Sequence, residues 1–204
     1  MGGIALIDYG AGNLQSVKNA LKAAGASDIA VTADPDVVAK ADRIVLPGVG
    51  AFAHCMTALS TIDGMVAAME MRVLKGGVPF LGICVGMQLL ADAGVEHGTH
   101  AGLGWIGGTV RAIEPACDIK VPHMGWNDVT LNAQHDVLSN GEAYFLHGYH
   151  FDPAMPEHIL ATSHHGSALT AAVGRDNILG VQFHPEKSQV YGIATLKRFL
   201  EWNP

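Results

Sequence analysis

Charged residues make up only 15% and aromatic residues only 6% of this 204-residue chain, and cysteine occurs three times. Each scarcity excludes something. Twelve basic residues stand against nineteen acidic ones, for a net charge of −7, and no basic run interrupts the sequence. Binding of nucleic acid by charge is therefore not expected. Cys55, Cys84 and Cys117 share no Cys-x-x-Cys spacing, and an odd, sparse set suits the reducing cytoplasm rather than a disulfide framework. No apolar run is long enough to cross a bilayer, and no basic segment precedes the apolar residues after Met1, so neither a membrane span nor a signal peptide is expected. Eleven histidines are many. Their tightest groups, His97/His100 and His164/His165, lack the partners and strand context of a zinc site, so no metal and no cofactor is expected. Linkers, repeats and low-complexity segments are missing too, and residues 1–204 read as one domain. What is abundant is apolar: 49% of residues, enough for a sizeable core.

The first half alternates strand and helix. Apolar runs at Ile4–Asp8, Ile29–Thr32, Arg43–Leu46 and Val78–Ile83 predict strands. Helical spacing covers Asn13–Ala24, Phe52–Leu59 and Gly64–Leu74, with Gly25 and Gly76-Gly77 as stops. Such βα units build an open, largely parallel, doubly wound sheet of the flavodoxin-like kind. Farther on, Trp105–Ile113, Ala143–Phe151, Ile159–Thr162 and Ser167–Val173 read as strands without helices between them. They predict a mixed or antiparallel extension of the α/β sheet. A last strand, Ile178–Phe183, leads into a closing helix, Val190–Trp202.

One cysteine stands out. Cys84 lies in Gly82-Ile83-Cys84-Val85-Gly86, between the strand ending at Ile83 and an apolar-periodic stretch with Met87, Leu89 and Leu90. Strand, glycine-flanked nucleophile and helix together form a nucleophile elbow, which holds the sulfur at the carboxyl edge of a sheet and at a helix start. A helix start favours thiolate. An inert buried thiol is the plain alternative. A second element weighs against it. The strand Ile178–Phe183 runs into His184-Pro185-Glu186, and in extended chain residues two apart face one side. Imidazole can take the thiol proton and return it to a leaving group, and a carboxylate on its far nitrogen fixes the tautomer. Cys84, His184 and Glu186 thus read as a nucleophile, acid/base and orienting triad.

Two glycine-rich loops follow strands. Asp8-Tyr9-Gly10-Ala11-Gly12-Asn13 opens a helix but lacks the third glycine of a dinucleotide fingerprint, so a tight turn is the reading. Pro47-Gly48-Val49-Gly50-Ala51-Phe52 exposes backbone N–H groups. These would serve as oxyanion donors if the loop lies beside Cys84, and would otherwise belong to a simple βα turn.

These two loops, the cysteine elbow, Val121-Pro122-His123-Met124-Gly125-Trp126-Asn127 and Gly180-Val181-Gln182-Phe183-His184-Pro185-Glu186-Lys187-Ser188 run nearly end to end along the chain. Together they resemble the class I, triad-type glutamine amidotransferases, and most specifically the glutaminase subunits of imidazole glycerol phosphate synthase. The resemblance implies hydrolysis of L-glutamine to glutamate and ammonia. It also implies a heterodimer with a cyclase subunit, HisF, a (β/α)₈ barrel that uses the ammonia to make imidazole glycerol phosphate and an aminoimidazole carboxamide ribotide. By the same resemblance Val85 and the Val49–Gly50 stretch supply oxyanion donors, the latter after reorienting. Gln88, Glu96, His147, Gly148 and Tyr149 hold glutamine, and Trp126 and Lys187 lie by the partner and the ammonia path. The chain departs from the family pattern in Val85, where Leu is commoner, in Gly148, where a hydroxyl residue is usual, and in the glycine-rich segment 91–100. Three other readings stay open: a glutaminase serving a different synthase, a cysteine hydrolase acting on thioesters or small esters, and a non-catalytic module that keeps the fold.

Overall fold

The computed structural model describes residues 3–115 and 119–204, so Cys117 lies outside the described residues. The first half alternates as the apolar spacing predicts. β1 (Ile4–Ile7), α1 (Leu14–Ala23), β2 (Ile29–Thr32), α2 (Pro35–Val38), β3 (Arg43–Gly48), α3 (Phe52–Thr61), α4 (Met65–Glu70) and β4 (Phe80–Cys84) follow in order. α4 runs on into a wider turn, Met71–Lys75. Next come α5 (Val85–Gln88), β5 (Ala93–Gly94), β6 (His100–Ala101), β7 (Gly108–Ala112), β8 (His123–Leu131), β9 (Gly141–His147), β10 (Tyr149–Pro153), β11 (Ile159–His165), β12 (Ser167–Arg175), β13 (Ile178–Val181) and α6 (Gln189–Glu201).

The main sheet has nine strands in the order β2-β1-β3-β4-β13-β12-β11-β8-β9. β2, β1, β3, β4 and β13 are parallel, and the strands beyond β13 pair antiparallel. The central strands β1, β4 and β13 are buried along their whole length, as continuous apolar strands covered on both faces must be. The step from β1 to β2 runs one way along the sheet, and the step from β2 to β3 runs back across β1. With right-handed crossovers, α1 and α2 must then lie on opposite faces. Accordingly α1 packs with α6, and α2 with α4. Few aromatics suffice for this core because all six phenylalanines are fully buried. A smaller sheet, β10-β7-β5-β6, sits apart. Among the described residues no helix is long and apolar enough to cross a membrane.

Several expectations need correction. The predicted strand Ala143–Phe151 is two strands, β9 and β10, broken at Gly148 and assigned to different sheets. β8 was not expected as a strand, because its alternation is masked by histidine, asparagine and glycine on the inward positions. The strand expected from Trp105 begins only at Gly108. The helix after Cys84 is a single turn, closed off because the chain must return to form β5.

Candidate active site

Cys84 ends β4 in a conformation that residues with side chains rarely adopt, φ 55° and ψ −114°. Holding such a residue costs roughly 1–3 kcal/mol, so the surroundings must enforce it. Two glycines do this by letting backbones touch. A Cβ on Gly82 would sit 2.6 Å from the Gly86 carbonyl oxygen, and a Cβ on Gly86 would run into the Leu46 carbonyl. α5 is thereby pressed onto β3 and β4. Because α5 is one turn long, the dipole expected from the sequence shrinks to its first N–H groups. The N–H of Val85, at the first helical position, has no acceptor within the helix. Gly86→Ala is expected to cost about 3 kcal/mol, since carbonyls cannot yield as side chains do. That would lower the melting temperature by about 10 °C. Gly148→Ala meets only Val121 Cγ1, at 3.8 Å, and should leave melting within about 2 °C of the parent. Thermal unfolding of the two variants side by side checks both values.

His184 and Glu186 meet, but not through an extended link. β13 stops at Val181, and Pro185–Lys187 form a 3₁₀ turn that brings Glu186 Oε1 to 2.8 Å from His184 Nδ1. Proline at the first position of the turn fits its fixed φ and missing N–H. The turn is stapled to β9: His184 N–H donates to the Tyr144 carbonyl, Ser188 Oγ donates to the His184 carbonyl, and Tyr144 N–H donates to Ser188 Oγ. Both side chains of the pair are buried. Burial pushes the imidazole down, but hydrogen bonds and charge from Cys84 and Glu186 outweigh it and lift His184 to about 9. At neutral pH the ring is therefore an imidazolium facing the sulfur, as an acid for a departing amine requires.

Gln182 was missed in the sequence. It is fully buried, and its Nε2 lies 3.7 Å from Cys84 Sγ. Gln88 Nε2 donates to both Gln182 Oε1 and the Tyr149 carbonyl, each at 3.0 Å. Its Oε1 is then the remaining polar atom that could face a ligand. The signal for Gln182 was a polar residue late in an otherwise apolar run, Ile178–Phe183, just before His184.

A cavity of about 340 Å³ gathers Val49, Gly50, Val85, Gln88, Glu96, His147, Gly148, Tyr149, His184 and Lys187, with Pro122 and Leu146. Its size suits an amino acid. Residues nearly a hundred positions apart converge because β4 lies between β3 and β13, so the loops after all three open at one carboxyl edge. Glu96 Oε2 accepts from the Phe52 N–H at 2.8 Å, capping α3 at the end of the Gly50 loop. Trp126 stands outside the cavity, edge-on to Tyr144 at 6.2 Å, while Lys187 Nζ lies 5.7 Å above the same ring. His184 and Val85 line this pocket, and the buried Cys84 and Glu186 lie behind them, next to Val85 in the chain and bonded to the His184 ring respectively. Sulfur, imidazole, carboxylate and a free N–H grouped in this way can add sulfur to a carbonyl, hold the resulting oxyanion and protonate the group that leaves.

Known proteins resemble the chain along nearly its whole length. The family described as glutamine amidotransferase class-I matches residues 5–201. The imidazole glycerol phosphate synthase subunit HisH of Zymomonas mobilis subsp. mobilis is 62% identical over 98% of this chain and 96% of its own length. The same subunit of Rhodospirillum rubrum is 54% identical over 98% and 99%. Among solved structures, a glutamine amidotransferase superposes with a TM-score of 0.76 at 20% identity over 98% of both chains, a likeness of fold.

Proposed function

The chain belongs to the class-I glutamine amidotransferases and, within them, to the HisH subunits of imidazole glycerol phosphate synthase, and from that premise we propose how it works and with what partner. It is a glutaminase of histidine biosynthesis. The Cys84 thiolate adds to the side-chain carbonyl carbon of L-glutamine. N–H groups of Val85 and of the Val49–Gly50 stretch hold the oxyanion. The His184 imidazolium, oriented by Glu186, protonates the amide nitrogen; the C–N bond breaks, ammonia departs and a γ-glutamyl thioester remains. Water then attacks the thioester, His184 takes its proton, and glutamate leaves as the thiolate re-forms. Gln88 and Glu96 hold the substrate glutamine, and the backbone at His147, Gly148 and Tyr149 meets its amino-acid end. The observation that carries this reading is the His184 ring, bonded to Glu186 at 2.8 Å on one side, at the wall of the glutamine-sized cavity.

The partner in this reading is the cyclase HisF, a (β/α)₈ barrel bound as a heterodimer in the cytoplasm, with the whole chain acting as one amidotransferase domain. An exposed apolar rim supports a docking face there. Met124 and Trp126 of β8 stand opposite Leu146 and Tyr144 of β9, and Val49 and Val121 are exposed nearby. Lys187 and Trp126 would then flank the ammonia exit. The test is an electrophilic glutamine analogue. It should modify Cys84 and spare Cys55, whose thiol is pushed up by burial and bonded to the Val49 carbonyl, and also Cys117. Labelling that persists in Cys84→Ser would refute the assignment. Cys84→Ala should lose glutamine use while the complex still makes product from added ammonia.

A further inference from the structure

β8 carries different chemistry on its two faces. Met124 and Trp126 face solvent, whereas His123 is buried and Asn127 half-buried. On the inward face three side chains form an unbroken run. Asn127 Nδ2 lies 2.9 Å from His123 Nε2, His123 Nδ1 lies 2.9 Å from His147 Nε2, and His147 Nδ1 lies 2.9 Å from the Tyr149 carbonyl. The ends set its direction. A carbonyl only accepts, so His147 Nδ1 donates. A neutral ring has one N–H, so His147 Nε2 accepts, His123 Nδ1 donates, and His123 Nε2 accepts from the asparagine amide. The other end demands the same. Asn127 Nδ2 also donates to the His164 carbonyl at 2.9 Å, and its Oδ1 accepts from the Asp128 N–H, so the amide is not free to turn. Burial pushes His123 down to about 4 and His147 to about 3, which keeps both rings neutral. The titratable groups that face the pair are His165, stacked on His123 at 4.3 Å, and His150, both imidazoles that lower it further. Phe145 covers His123 from β9.

The run ends where the site begins. The Tyr149 carbonyl also accepts from Gln88, whose amide reaches Gln182 and through it the Cys84 sulfur. We propose that Asn127, His123 and His147 are positioning residues of the glutaminase site: a one-way relay of hydrogen bonds that holds the Tyr149 carbonyl and the pocket floor in place and ties them to β8, the strand whose other face is exposed at Met124 and Trp126. The proposal rests on the glutaminase reading of the cavity.

Two measurements test it. Long-range ¹⁵N–¹H spectra of the histidine-labelled chain should show His123 and His147 as Nδ1–H tautomers with bare Nε2 between about pH 5.5 and 8. An Nε2–H on either ring, or protonation in that range, overturns the relay. In the complex with the cyclase and its phosphoribosyl ligand, His123→Leu should raise KM for glutamine about tenfold, the size of one lost hydrogen bond, and leave kcat within about threefold. His123→Gln keeps one donor and one acceptor and should return KM to within about threefold of the parent. A folded His123→Leu with parental KM, or a glutamine variant as impaired as the leucine one, overturns the positioning role. If His123→Leu does not fold, Asn127→Leu at the half-exposed start of the run should raise KM in the same direction, and an unchanged KM there counts against the proposal. A parent complex that releases no ammonia from glutamine would sink the glutaminase reading instead, and the tautomers would still decide the relay.

Discussion

His184→Ala is expected to lower glutaminase kcat by about 10⁶-fold, and Glu186→Gln by about 10⁴-fold, the spread seen when a triad loses its base or only its orienting carboxylate. The asymmetry follows from what each group does. In the proposed mechanism His184 carries the proton in both half-reactions, whereas Glu186, 2.8 Å away, orients and charges it. pH separates the roles further. The imidazole is raised from 6.5 to about 9, so the imidazolium is lost as pH rises through about 9, and kcat/KM should fall on that alkaline side. Removing the Glu186 charge takes away part of the support, so the falling limb of Glu186→Gln should move to lower pH. The folding linkage has the same sign: this group's contribution to stability is complete below about 6.5 and lost as pH rises through about 9. Steady-state profiles of both variants against the parent check all of this. Equal damage from the two substitutions in well-folded protein would mean that the roles are divided wrongly.

The second large effect concerns the partner. Glutaminase kcat of the isolated chain is expected to rise about 10²–10³-fold when the cyclase binds its ligand, which is what one oxyanion donor is worth. The Val49 carbonyl is engaged by Cys55 Sγ at 3.3 Å, and Val49 itself is exposed. The glycines on either side of Val49 are not equivalent. A Cβ on Gly48 would meet Tyr9 Oη at 2.7 Å and the Gly86 nitrogen at 2.8 Å, so this side is packed shut. Gly50, at φ 103°, has open space around it. In the proposed switch, reorientation of the Val49–Gly50 peptide is expected to pivot at Gly50, with Gly48 and the Tyr9–Pro47 hydrogen bond as the fixed end. The gain should fall in kcat, because a donor to the oxyanion contacts the transition state more than bound glutamine. Assays with and without partner and ligand decide the matter. Full activity in the isolated chain, unchanged by either addition, would point to a stand-alone hydrolase.

What the amino-acid order determined alone was local. Apolar runs with glycine stops specify the βα units, because chain period and turn conformation depend on neighbours a few residues apart. The same reasoning picks out Cys84 between its glycines, and it names His184 with Glu186, although a 3₁₀ turn rather than the expected extended link brings them together. It failed wherever partners are distant. One continuous apolar segment, 143–151, divides at Gly148 between two sheets, since pairing with β8 on one side and β7 on the other is decided by which strands lie alongside. Gln182 reaches Cys84 only because β13 pairs in parallel with β4, Val181 beside Ile83. His123 and His147 are twenty-four positions apart, yet stand directly opposite in the β8–β9 register. Hydrogen-bond direction, tautomer and pKa belong to such long-range neighbours and to burial. The sequence lists the groups that can do the chemistry; only the tertiary structure decides which of them touch.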